Sequence, residues 1–273
     1  MKKHKRKIQT GIVIGIFSVI IIACLISIIS QLYTEYKENE SFEKLAEIVT
    51  EETTNTDTVT ETIRKPNLLN VSDCDNDVQD ESSVYSTTYY ELHSISELIS
   101  MNSDCFGWIS ISGTNINYPV MHTPSNPQKY LSKNFYGEYS YSGTPFLDAR
   151  CSADSTNLII YGHHMNNGTM FADLCNYTDY SYFTEHPTVV LETKDEAFAY
   201  SVFSVMKVKS DDDWYRFITA ETEKSYEKKI SYAKDKSIYG TGNTPVYGQQ
   251  ILTLSTCYGY NQDDRILVLA VRN

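Results

Sequence analysis

The chain has 273 residues, with 35 Asp or Glu against 23 Lys or Arg and a formal net charge of −12. That acidity argues against nucleic acid as a partner. A hydrophobic share of 41% supplies enough material for a packed core, and the six cysteines show no disulfide-framework spacing.

Taken from the amino terminus, Lys2, Lys3, Lys5, Arg6 and Lys7 precede an uncharged stretch from Gly11 to Ser30. As a helix that stretch would measure roughly 30 Å, enough to cross a bilayer's hydrocarbon core. The basic flank predicts a cytoplasmic amino terminus (residues 1–10), a single-pass anchor over 11–31 and everything later outside the cell membrane. Ile21-Ile22-Ala23-Cys24 also resembles a lipoprotein processing site, but the apolar run after Cys24 favours the uncleaved anchor. Residues 34–83 then hold fourteen acidic and four basic side chains, a net −10. Glu51 to Thr62 is almost wholly Thr and acidic, too polar for a core, so residues 32–85 are expected to be an extracellular stalk. Within it Phe42, Leu45 and Ile48 would make at most a short amphipathic turn.

Residues 86–273 have the composition of one globular domain. Apolar Leu92, Ile95, Leu98 and Ile99 predict a helix over 90–101. Strand-like runs follow at 108–112, 115–121, 157–161, 188–193, 197–208, 249–255 and 265–271, with an eighth at 144–147. This mostly-β pattern predicts a closed barrel. Between 219 and 236, Tyr226, Ile230 and Ala233 recur on one helical face, with Glu221 and Glu223 near the start and Lys234 and Lys236 near the end. The Gly- and Pro-bearing residues 239–247 are expected to be a loop able to close over a peptide.

Two segments carry chemistry. Thr253-Leu254-Ser255-Thr256-Cys257 ends one strand, and Arg265 opens the next, so a hairpin would bring thiol and guanidinium side by side. A nucleophilic cysteine needs a rigid edge position with a base or cation nearby. The alternative is a buried structural cysteine followed by a surface arginine. The second segment, Tyr161-Gly162-His163-His164-Met165, puts imidazole at a strand end, where it can act as general acid and base. Adjacent histidines also raise a metal reading, but no Cys or carboxylate follows at ligand spacing, and no metal site is assigned.

These segments resemble class B sortases, membrane-anchored cysteine transpeptidases of Gram-positive bacteria. The resemblance runs from about Tyr89 to Asn273. It also includes Gly107-Trp108-Ile109, Asn117-Tyr118-Pro119-Val120, Tyr130-Leu131, Phe146-Leu147-Asp148 and Gly168-Thr169-Met170-Phe171. It implies an eight-stranded sortase-type barrel with an N-terminal helix, and an insertion between strands 6 and 7 whose helix walls the substrate groove. It makes His163, Cys257 and Arg265 catalytic and Leu131, Tyr161 and Ser255 groove-lining, with no cofactor. Tyr258 departs from the polar residue common after the cysteine in relatives. The implied partners are secreted proteins bearing a threonine-containing C-terminal sorting motif, and a lipid-linked peptidoglycan amine as acceptor. The rival within the fold is a pilus polymerase accepting a pilin lysine, though 34–83 lacks that group's Asp-Pro-aromatic plug. A non-catalytic surface binding module would instead leave Cys257 structural. Cys105, Cys151 and Cys175 are expected to be buried thiols or residues without a role.

Overall fold

The computed structural model describes residues 2–51, 95–259, 261 and 263–273. Most of the expected stalk, Cys74 and the beginning of the helix expected from residue 90 lie outside the described residues. Eight strands form a closed barrel: β1 (Cys105–Ser110), β2 (Asn117–Met121), β3 (Phe146–Leu147), β4 (Asn157–Tyr161), β5 (Thr188–Thr193), β6 (Ala197–Lys209), β7 (Ile251–Cys257) and β8 (Asp264–Arg272). Around the barrel they run β1-β2-β3-β4-β7-β8-β6-β5. The β2–β3 and β4–β7 pairs are parallel and the others antiparallel. Among the described residues four α-helices accompany them: α1 (Lys2–Glu51), α2 (Ile95–Met101), α3 (Tyr180–Glu185) and α4 (Glu223–Lys236).

The period of two along a strand divides β7 and β8 between two cores, while β4 contributes to the first. Leu158, Ile160, Leu252, Leu254, Ile266, Val268 and Ala270 join the large core that includes the barrel interior. On the opposite face Ile251, Leu267, Leu269 and Val271 meet Trp214, Phe217, Tyr226 and Ile230 in a second cluster. That cluster is roofed by the β6–β7 connection, which contains α4. Burial on both faces is why these strands read as apolar runs in the sequence.

α4 starts at a capping box in which the Thr222 and Ser225 side chains satisfy each other's backbone. Its buried face of Tyr226, Ile230 and Ala233 is the one its periodicity predicts. The loop after it behaves differently from the sequence expectation. Thr241 Oγ1 donates to the Phe203 carbonyl, Asn243 Nδ2 to that of Val202 and Tyr239 Oη to that of Tyr177. The first half of the loop is thus held down, at Thr241 and Asn243 to β6 and at Tyr239 to the β4–β5 connection.

α1 differs more. It continues as one helix into the expected stalk, through its first 20 residues to Glu51. Phe42 and Leu45 are buried, with the Phe42 ring edge-on to Tyr118 at 5.4 Å. Ser142 donates to Glu38 at 2.7 Å and Asn167 to Glu35 at 3.5 Å. Residues 35, 38, 42 and 45 form one helical stripe, polar at one end and apolar at the other, facing the barrel. Two apolar anchors in a charged segment were too few to give that stripe a strong sequence signal. Lower down, α1 contains a stretch from Gly15 that is long and apolar enough to cross a membrane.

Candidate active site

Cys257 is the last residue of β7 and lies directly across from Arg265 of β8. The next pair outward is closed by the Tyr258 amide donating to the Asp264 carbonyl at 3.0 Å. Hydrogen-bonded and open pairs alternate in an antiparallel ladder, so Cys257 and Arg265 form an open pair, with side chains close together on one face. That face carries Thr253 and Ser255 on β7, so residues along it change from packed to polar to exposed towards Cys257. Arg265 is oriented by its own neighbour, since its Nη1 donates to the Asp264 carbonyl at 2.9 Å.

The parallel neighbour β4 delivers the histidines. The Gly162 amide donates to the Ser255 carbonyl at 3.1 Å, which ends the strand pairing and starts the loop. A Cβ at Gly162 would sit 2.6 Å from the Phe171 ring, so only glycine allows the loop to close this tightly. The loop returns through Gly168 (φ 83°) and Met170 (φ 56°), and the Phe171 amide donates to the His163 carbonyl at 2.9 Å. His163 Nε2 in turn donates to the Leu131 carbonyl at 2.9 Å. In the neutral ring this leaves Nδ1 with the lone pair. The Leu131 carbonyl can come this close because Gly143 (φ 62°) passes beside it, where a Cβ would lie 2.8 Å from that oxygen.

His163, Cys257, Arg265, Leu131, Tyr161 and Ser255 all line one groove of about 900 Å3. Sequence reasoning therefore named residues that the fold brings together from β4, β7, β8 and the β2–β3 connection. It missed part of the wall. Ser210 and Tyr215 enter the groove from the first residues after β6, and Tyr215 Oη bonds Ser255 Oγ at 2.8 Å. The insertion reaches the groove through these two residues. α4, expected to wall the groove, instead covers the second core.

Asp148 and Arg150 form the other unforeseen piece. The Arg150 guanidinium donates twice to the Asp148 carboxylate, at 2.8 and 2.7 Å, and Tyr161 Oη donates to the same carboxylate at 2.8 Å. Burial pushes the Asp148 carboxyl upward, but the bonds from Arg150 and Tyr161 outweigh it and hold it below its ordinary value. Arg150 also donates to the Tyr215 carbonyl at 2.8 Å, tying the insertion to the groove wall.

The other thiols sit differently. Burial raises Cys105 to about 12 and Cys151 to about 11, far from thiolate at neutral pH. Cys175 is raised to about 11, by burial first and then by its neighbour Cys257. Its position beside Cys257, 82 residues away in sequence, had no local signal.

A sortase-domain family profile matches residues 109–273. The chain belongs to the sortase family. It is 31% identical to sortase B of Staphylococcus aureus over 175 residues, which is 63% of this chain and 71% of that protein. It is 35% identical to sortase B of Listeria monocytogenes over 164 residues, 59% of this chain and 65% of that protein. The Staphylococcus aureus sortase B–substrate complex superimposes with a TM-score of 0.62 at 31% identity, covering 66% of this chain and 84% of that one. Clostridium perfringens sortase B gives a TM-score of 0.61 at 31% identity, covering 65% and 98%. These relatives place the chain in class B, among cysteine transpeptidases.

Proposed function

We propose that the chain cleaves a secreted protein after the threonine of a C-terminal sorting motif and transfers it to a peptidoglycan amine. The observation that carries this reading is the open pair of Cys257 and Arg265 in one groove with His163. Cys257, as thiolate, attacks the threonine carbonyl carbon, and the electron pair moves onto its oxygen. Arg265 stabilises that developing oxyanion with a charged planar donor. As the C–N bond breaks, protonated His163 gives its proton to the departing amine, leaving a thioester. An acceptor amine then loses a proton to His163 and attacks the thioester carbon. The C–S bond breaks, and thiolate is restored. Leu131, Tyr161 and Ser255 line the peptide path in this reading. A related Staphylococcus aureus sortase B has been determined as a substrate complex, which supports a peptide in the corresponding groove.

The domain scheme follows the same reading. Residues 1–10 lie in the cytoplasm, 11–31 cross the membrane, and the catalytic domain from residue 86 faces outward, where the lipid-linked acceptor is carried. The segment 32–85 connects them, and α1 supplies the first part of it.

The test uses the full chain in detergent with a pool of internally quenched peptides in which threonine is fixed at the scissile position. Cleavage, together with a trapped acyl adduct on the peptide containing Cys257 in the mass spectrum, is the expected result. An adduct on another cysteine, with cleavage intact, would overturn it.

A further inference from the structure

We infer that His164, the neighbour of the groove histidine, is a positioning residue that holds the backbone of the nucleophile. This rests on Cys257 being that nucleophile. Along the β4 side of β7, the ladder runs out at Gly162, whose carbonyl accepts from Thr256 Oγ1 at 2.8 Å. The next carbonyl of β7 is that of Cys257, and β4 has no residue left to pair with it. His164 takes that place, with Nδ1 3.2 Å from the Cys257 oxygen. Because a carbonyl only accepts, the ring proton sits on Nδ1. Cys175 Sγ lies 3.7 Å from the same oxygen and 3.3 Å from His164 Nδ1. One N–H and one S–H thus face the two lone pairs of this carbonyl.

The other end of the same peptide group is held as well, by the Tyr258 amide on the Asp264 carbonyl. Fixing both ends sets the peptide plane after Cys257 and keeps its Cα–Cβ bond aimed into the groove beside Arg265. His164 is itself fixed from behind. It bridges Met170, whose amide donates to Tyr118 Oη at 3.0 Å. The paired histidines therefore divide the work: His163 enters the groove, and His164, which does not line it, holds the carbonyl. A reacting atom misplaced by about 1 Å can cost up to about 100-fold in rate. An exposed bond of this kind should account for about tenfold.

The experiment measures kcat and KM separately on the best-cleaved peptide of the quenched pool, with amide hydrogen exchange over residues 255–259. His164→Ala should lower kcat about tenfold with KM and melting temperature unchanged, and should speed exchange in that segment. His164→Asn, whose side-chain N–H hangs from the same Cγ, should recover most of the rate and the protection. Cys175→Ala should cause a smaller loss in the same direction. Equal losses in His164→Ala and His164→Asn would overturn the inference, as would parental kcat and exchange in His164→Ala or a loss confined to KM. Cys257→Ala runs alongside. If it still cleaves, the nucleophile assignment fails, whereas the exchange data still judge the clamp.

Discussion

The two faces of β7 follow the same seven residues and come to opposite ends. On the inner face, Leu252, Leu254 and Thr256 are buried throughout; the two leucines pack into the barrel, and Thr256 holds the Gly162 carbonyl at 2.8 Å. On the outer face Ile251 packs under the insertion and Thr253 accepts the Trp214 indole N–H at 3.0 Å. Ser255 then meets Tyr215, and Cys257 emerges exposed. Packing passes into chemistry along a single strand. Cys257 is therefore held by a core that it does not itself enter.

The comparison makes claims that mutations can break. Cys257→Ala should abolish peptide cleavage without changing the melting temperature. Leu254→Ala, on the inner face, should cost about 2–5 kcal/mol of stability in chemical denaturation. Its folded fraction should keep near-parental chemistry; a Leu254→Ala protein that is stable but inactive would blur the two faces. Arg265→Lys keeps the charge but loses the planar fork, and an oxyanion donor is typically worth about 100- to 1000-fold in turnover. Arg265→Lys should therefore resemble Arg265→Ala in stopped-flow single-turnover rates at saturating peptide. Near-parental rates in the lysine variant would reduce Arg265 to a source of charge.

Tyr215→Phe sharpens the middle of the gradient. Losing its bond to Ser255 should lower kcat/KM by about 2- to 10-fold, with no change in unfolding midpoint. The smallest effect concerns acid. Asp148 is held below its ordinary value when folded, so its contribution is full at neutral pH and fades as pH falls below about 4. Thermal melts from pH 6 down to 3 should show that decline in the parent and a shallower one in Asp148→Asn.

Much of this was legible because burial on both faces writes itself as apolar runs, as at 157–161 and 188–193, where strand limits agree with the sequence reading. The groove residues were legible through the resemblance to class B sortases, because a histidine or cysteine at a strand end, taken alone, also has structural uses. What stayed hidden depends on distant partners. Tyr215 reads as one aromatic among 22 tyrosines until Ser255 is beside it. Arg150 reads as an ordinary surface charge until Asp148 and the Tyr215 carbonyl claim it. The Gly- and Pro-bearing loop after α4 announces a turn but carries nothing to say that Thr241 and Asn243 bond the β6 backbone.

If α1 tethers the chain to a membrane as proposed, it is also a ruler. With residues 11–31 in the bilayer as proposed, Glu35 stands about 7 Å beyond Ser30 along the axis at 1.5 Å per residue. Its contact with Asn167 sets the histidine-bearing loop at the depth of the lipid headgroups. An acceptor amine carried on a lipid would then meet the thioester without leaving the membrane surface. One extra helical turn ahead of Glu35 would lift the groove by about 5 Å and swing it by roughly 40° one way if four residues were added or roughly 60° the other way if three were added.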